Sequence, residues 1–399
     1  MNIAKKAYCR GFQFCFKVAI PLLPYRIPKT RESISLLPAM LRRRGVDCVL
    51  IVTDKGIVKA GLLDILTKVL DSDIIRYAVY DETIPNPTID NVEAARALYI
   101  ESHAQAIIAL GGGSAMDCAK ACGARIVQPW MSVKQMGGIL KVFKKLPCLI
   151  AIPTTAGTGS ETTLAAVITD AKTHHKVPIN SFPLIPRYAI LDYRLTTGLP
   201  KHITSTTGMD ALTHAVEAYI GGSTTKDTRE NAIKATRLIH QYLYRAYQDG
   251  TDAEARQNML HAAYYAGAAF SKSYVGYVHA VAHSLGGQYG TPHGLANAVL
   301  LPIVLREYGV FAHAKLAQMA REAGVIGAGK SDEETANLFI DWIEEMNDKM
   351  GIPRKLSGIE EADIEKMAEH ADAEANPLYP VPVLMDKEEL KKFYHLVKE

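Results

Sequence analysis

AIIALGGGSAMDCAKACGAR, residues 106–125, reads as a strand, a glycine turn and a helix in immediate succession. The opening run is apolar and of strand length, and the residues after Ser114 have helical spacing. Gly111, Gly112 and Gly113 stand between them. A plain strand-to-helix turn needs only one glycine. Three let the backbone turn sharply and let an anion approach without meeting a Cβ. The free amides and the dipole at the helix N-terminus favour that negative charge. Ser114 can cap the helix or donate to a phosphate oxygen. The run is not the G-x-G-x-x-G fingerprint, and it follows the third strand of the chain instead of the first. It predicts a phosphate-binding α/β unit that departs from the ordinary dinucleotide fold.

The surroundings have the same grammar. Strand patterns at 48–53, 77–80, 106–110 and 147–152 alternate with helical patterns at 57–70, 89–102 and 115–125, and further strand-like runs lie at 165–169 and 188–191. Such alternation predicts a parallel sheet with helices on both faces. Asp54, directly after the first strand, is placed to accept from ribose hydroxyls, which would favour NAD over NADP; helix N-capping explains it equally well. PTTAGTGSE, residues 153–161, is a second polar loop at a strand end, where ligands of parallel sheets bind.

After about residue 199 the patterns at 209–220, 228–247, 253–270 and 331–350 are helical, so the second half reads as all-α. We divide the chain into an N-terminal extension (1–27), an NAD-binding α/β domain (28–199) and a helical metal-binding domain (200–399). At roughly 150 residues per domain, 399 residues allow this.

Composition narrows the function. Forty-five basic and 42 acidic residues leave a formal charge of +3, too balanced to imply nucleic acid as a partner. The six cysteines have no C-x2-C spacing, which argues against a zinc ribbon and for a reduced, cytoplasmic protein. Cys118 and Cys122 read as small core residues and not as a redox pair. The extension carries Phe12, Phe14, Phe16 and Val18 among Lys5, Lys6, Arg10 and Lys17, and Pro21 interrupts its apolar run. It is too short to span a bilayer. It reads as an amphipathic segment packing on the protein itself or on a neighbouring subunit, with a membrane surface as the alternative.

The second half holds a pattern that points to a metal. Asp210 and His214 are four apart on a helix, which puts them on one face about 6 Å apart. His279 and His283 repeat the spacing, and His293 follows. A lone histidine on an apolar helix is usually a core residue; two clusters of histidine with a carboxylate suit divalent Fe, Zn or Mn. His174, His175, His240 and His313 lack such partners and read as surface or core. Phe270, Tyr274 and Tyr277 are candidates for a small, partly apolar pocket.

From about residue 28 onward the sequence resembles the iron-containing (group III) alcohol dehydrogenases. The resemblance rests on GGGSAMDCAKA (111–121), IPTTAGTGSE (152–161), GMDALTHAVEAYI (208–220) and HAVAHSLGGQYGTPHGLANAVLLP (279–302). It implies the dehydroquinate-synthase-like fold, with Asp210, His214, His279 and His293 on the metal and His283 beside substrate and nicotinamide. It also implies cofactor contacts from Asp54, Gly112, Gly113, Ser114, Thr154, Thr155, Thr158 and Lys176. Family members with glycine in place of Asp54 look NADP-dependent, so Asp54 supports NAD. The expected cofactors are NAD and Fe²⁺, with Zn²⁺ as the other candidate. The expected reaction is hydride transfer between NAD(H) and a small primary alcohol or aldehyde by a homo-oligomer. Alternatives are a hydroxyacid–oxoacid transhydrogenase that retains its NAD, a dehydroquinate-synthase-like lyase, and a non-enzymatic assembly protein.

Overall fold

The computed structural model describes residues 1–172 and 175–399, and of His175 the backbone alone. It divides into two units: Pro24–Gly198, and Met1–Leu23 together with Leu199–Glu399. Helix α1 (Ile3–Ala19) opens the chain and belongs to the second.

In the first unit, strands β1 (Lys29–Arg31), β2 (Cys48–Val52), β3 (Arg76–Tyr80), β4 (Ala106–Gly111), β5 (Gly138–Ile139), β6 (Cys148–Pro153), β7 (Ala165–Asp170), β8 (His175–Asn180) and β9 (Tyr188–Ile190) are interleaved with helices. The helices are α2 (Leu37–Arg42), α3 (Lys55–Lys59), α4 (Leu62–Asp71), α5 (Ile89–Glu101), α6 (Gly113–Val127) and α7 (Val133–Met136). Six strands form a parallel sheet in the order β1-β9-β6-β4-β2-β3. The small sheet β5-β8-β7 adds one antiparallel pair.

Both faces of the main sheet are covered, and alternate residues of each strand serve different cores. Leu50, Val52, Ile107 and Leu149 pack on one side with Met116 and Cys118. Val49, Ile51, Ile108 and Ile150 pack on the other with Leu66 and Leu70. This is why the strands read as unbroken apolar runs. Cys118 and Cys122 are wholly buried, and burial pushes both thiols far from reactivity, Cys118 to about 12.

Local chemistry corrects the expected pattern in two places. The helix expected over 57–70 is broken into α3 and α4, because Gly61 adopts φ +72 and ends the first. Strands β1, β5 and β8 had no recognisable pattern; the first two are three and two residues long, and β8 carries Pro178, a residue unusual inside a strand.

The second unit is helical: α8 (Lys201–Ile220), α9 (Lys226–Gln248), α10 (Ala253–Ser273), α11 (Tyr277–Tyr289), α12 (His293–Tyr308), α13 (Val310–Ala323), α14 (Asp332–Lys349), α15 (Glu361–Ala375) and α16 (Lys387–Val397). From Gly208 to Ile220, α8 is buried on every side. The N-terminus of α12 lies directly against α8: a Cβ on Gly294 would sit 2.5 Å from the Thr206 carbonyl oxygen. Backbone cannot yield there as a side chain tip can.

Inside the first unit, Lys120 of α6 is wholly buried. Its Nζ donates to Ser160 O (2.7 Å), Ser160 Oγ (2.9 Å), Thr163 Oγ1 (2.7 Å) and Ala165 O (2.9 Å). Asp117 accepts from Ser160 Oγ at 3.1 Å and from Val167 N–H at 3.0 Å. These bonds tie the helix that follows β4 to the loop that follows β6. Glu161 is buried beside them, and burial raises its pKa from 4.5 to about 7; burial lowers Lys120 to about 8.

Two outcomes are expected. Gly294→Ala should force α12 off α8 and cost about 1–3 kcal/mol in chemical denaturation. Between pH 4.5 and 7 folded Glu161 keeps a proton that the unfolded chain has released, so its contribution to stability falls as pH rises. Glu161→Gln removes that dependence. The variant's stability relative to wild type should therefore rise from pH 5 to pH 7, by on the order of 3 kcal/mol at most. Parallel denaturation curves at the two pH values would contradict it.

Candidate functional site

In the C-terminal unit, one face of α8 carries Asp210, His214 and Glu217 at spacings of four and three. Helix α11 brings His279 and His283, and α12 brings His293 and Asn297. One ligand atom from each of Asp210, His214, His279 and His293 lies within 4.8 Å of the others. The first three residues are buried, and the His293 side chain is 37% exposed, so the cluster opens on that side.

The surroundings orient these groups. Glu217 accepts from Gly276 N–H and Val278 N–H at 2.8 Å each, at the N-terminus of α11. A Cβ on Gly276 would lie 2.6 Å from Glu217 Oε1, so this approach requires glycine. Glu217 also pairs with His279 Nδ1 at 2.6 Å. If Nδ1 is the donor, the His279 Nε2 lone pair faces the cluster. Burial raises Glu217 to about 7 against the pull of these donors. Burial, then His214, His293 and His283, holds His279 well below 6.5, so its imidazole is neutral. The His214 ring stacks on Phe270 at 4.1 Å.

The donor atoms suit a cation. Asn297 Nδ2 lies 2.6 Å from Asp210 Oδ1, 3.2 Å from His279 Nε2 and 3.1 Å from His293 Nε2. A carboxylate oxygen and two ring nitrogens, from three helices, thus converge on a single amide nitrogen, an arrangement that suits positive charge. Three imidazoles and a carboxylate are ligands for Fe²⁺ or Zn²⁺.

His283 sits beside this cluster, its ring 5.1 Å from that of His293 and 5.8 Å from that of His279. Its Nδ1 pairs with Glu374 Oε1 of α15 at 2.6 Å, and the Tyr379 hydroxyl donates to the same oxygen at 2.6 Å. Of the three aromatic residues expected at a pocket, Phe270 lies at the cluster. Tyr277 is a core residue: its hydroxyl donates to Asn376 Oδ1 and Met385 O and accepts from Met385 N–H. Tyr274 packs against Phe16 and Tyr379. His240 is half-buried against Trp342, His313 is half-buried, and His174 lies outside the described residues.

In the N-terminal unit the parallel register brings the carboxyl ends of β2, β4 and β6 to one edge. Asp54 is the N-cap of α3, accepting from Ile57 N–H at 3.0 Å, while a Cβ on Gly111 would lie 3.6 Å from its Oδ2. The N-cap of α6 is Gly112, without a side-chain cap bond; Ser114 lies in the first turn, not at the cap. Thr154 N–H donates to Gly111 O at 3.2 Å. Cβ atoms on Gly112 and Gly113 would meet Thr155 Oγ1 at 3.5 Å and Thr158 Cγ2 at 3.3 Å. The glycine turn therefore packs closely against the loop that carries Thr155 and Thr158. Lys176 on β8 is close enough to Asp117 to draw its pKa down against the larger effect of burial.

Glu217, Asn297, Glu374 and Lys120 escaped the sequence reading. Glu217 and Asn297 had a signal, lying at i+3 from His214 and i+4 from His293. Glu374 had none, being 91 residues from His283.

Two family models cover most of the chain: iron-containing alcohol dehydrogenase over residues 24–193, and the C-terminal region of the Fe-containing alcohol dehydrogenase family over residues 204–397. The chain is 37% identical over 374 residues to alcohol dehydrogenase 4 of Schizosaccharomyces pombe, covering 91% of this chain and 87% of that protein. A solved 1,3-propanediol oxidoreductase superposes with a TM-score of 0.88 at 36% identity, over 93% of this chain and 98% of that one. A sulfoacetaldehyde reductase from Bifidobacterium kashiwanohense, solved in complex with NAD⁺, superposes with a TM-score of 0.82 at 28% identity, over 94% of this chain and 98% of that one. Sequence, fold and the convergence of Asp210 with three histidines agree, and the chain belongs to the iron-containing alcohol dehydrogenase family.

Proposed function

We propose that the protein transfers a hydride between NAD(H) and a small primary alcohol or its aldehyde, using a divalent metal held by Asp210, His214, His279 and His293. The observation that carries this reading is the convergence of those four side chains within 4.8 Å. Fe²⁺ is the metal that the family description favours, and Zn²⁺ fits the same donors. When bound, the cation supplies Lewis acidity toward a hydroxyl or carbonyl oxygen, and NAD supplies the hydride acceptor.

The remaining roles belong to the chain. Glu217 fixes the His279 ring through Nδ1, so that Nε2 can ligate. Amides at the start of α6 and the hydroxyls of Thr154, Thr155 and Thr158 bind the diphosphate, with Gly112, Gly113 and Ser114 at its closest approach. Lys176 adds a positive charge to the cofactor site. Asp54 accepts from the adenosine ribose and repels a 2′-phosphate. With its Nδ1 proton held by Glu374, His283 takes up and passes on the substrate proton at Nε2. Phe270 braces His214 and presents an apolar wall, which suits a short carbon chain.

The decisive measurement is NADH formation from short alcohols and diols by chelator-stripped protein restored anaerobically with Fe²⁺ or Zn²⁺. His279→Ala should lose both bound metal and turnover. His283→Ala should retain metal by elemental analysis and lose about 10²–10⁴-fold in kcat, the usual contribution of proton transfer. Metal loss in the His283 variant would reverse the assigned roles. Asp54→Gly should shift cofactor preference toward NADP, read as the ratio of kcat/KM values; an unchanged ratio would remove Asp54 from the ribose site.

A further inference from the structure

Helix α1 lies outside the residues matched by either family model; it buries Cys9 and Gln13 against the protein and turns a broad apolar face to solvent. The side facing the protein carries the polar anchors. Lys5 Nζ pairs with Asp372 at 2.7 Å. Arg10 donates to Val381 O at 2.7 Å and Pro382 O at 2.8 Å. Gln13 Nε2 donates to Tyr379 O at 2.7 Å, and Phe16 packs edge-on against Tyr274 at 5.0 Å. At 3.6 residues per turn the opposite side presents Ile3, Ala4, Ala7, Tyr8, Gly11, Phe14, Cys15 and Val18, all exposed. Ile3 is 87% exposed, Phe14 66% and Val18 59%, and Leu22 just beyond is 84% exposed. Exposed Lys6 and Lys17 lie with Arg10 along one edge of this face. No acidic residue occurs anywhere in residues 1–23.

A contiguous exposed apolar face on a folded protein marks a contact surface. Charge decides what it contacts. A second copy of α1 brings the same Lys6, Arg10 and Lys17 and no carboxylate to neutralise them. An anionic lipid surface offers negative charge to the basic edge and an apolar layer to the aromatic face, the pairing that interfacial helices use. Val310 and Phe311 at the start of α13 are a further exposed apolar pair, at 72% and 71%. Lys315, one turn further, has its pKa lowered to about 8, by burial and then by neighbouring Lys17.

We infer that α1 docks this protein peripherally on an anionic bilayer surface, lying in the interface with Ile3, Phe14, Val18 and Leu22 inserted and Lys6 and Lys17 at the headgroups. No described helix is long and apolar enough to cross a membrane, so the attachment is reversible and lies in the membrane plane.

The test is co-sedimentation of the full-length protein with phosphatidylcholine vesicles, with and without phosphatidylglycerol. Binding should require phosphatidylglycerol and fall away near 1 M salt, where the screening length is about 3 Å. Lys6→Glu combined with Lys17→Glu should weaken partitioning about tenfold or more. Phe14→Ser combined with Val18→Ser should weaken it similarly, while leaving the Asp372, Tyr379 and Val381 contacts, the melting temperature and alcohol oxidation unchanged. Equal recovery with both vesicle types, or binding untouched by either double variant, would overturn the inference. So would a Phe14/Val18 variant that loses oligomer mass in light scattering and still binds vesicles, which would assign the face to a second copy of the chain.

Discussion

Asp210 and Glu217 lie two turns apart on α8 with their carboxyl groups out of reach of solvent. A carboxylate in an apolar interior is costly unless donors surround it. Two elements supply them. The backbone amides of Gly276 and Val278 and the His279 ring face Glu217; the Asn297 amide faces Asp210. The helices α8, α11 and α12 are therefore held in one relative position by electrostatic need as well as by packing. Gly276 and Gly294 are the points where that closeness leaves no room for a Cβ.

A carboxylate oxygen of Asp210 and ring nitrogens of His279 and His293 lie around one amide nitrogen of Asn297, a grouping whose chemistry suits a cation. Family membership and this convergence describe the same fact from two directions. The four side chains that could hold a metal all stand on helices, and the carboxylate–histidine contact Glu217–His279 engages Nδ1 of the ring.

The α/β unit brings two polar loops together at the carboxyl ends of its strands. Its glycines at 112 and 113 lie against Thr155 and Thr158, and the buried Lys120 ties α6 to the segment 160–165 with four hydrogen bonds. A charge buried for this purpose stabilises one loop arrangement over others. The raised Glu161 and lowered Lys120 record what that arrangement costs.

Much of this was legible in the linear order of residues. Continuous apolar runs broken by glycine specify a parallel sheet buried on both faces, because period and burial are local consequences of strand geometry. The pairs Asp210–His214 and His279–His283 follow from helical spacing in the same way. Spacing alone did not separate the cluster from its neighbour: His283 has the same i+4 relation to His279 as His214 has to Asp210, yet the atoms that converge within 4.8 Å are those of Asp210, His214, His279 and His293. Nor did composition show which side of α1 faces inward, where Lys5, Arg10 and Gln13 find partners at 372–382 while Phe14 and Val18 stay in solvent. Periodicity reports which residues share a face. Only the tertiary structure decides what that face meets, because the partners come from segments tens to hundreds of residues away.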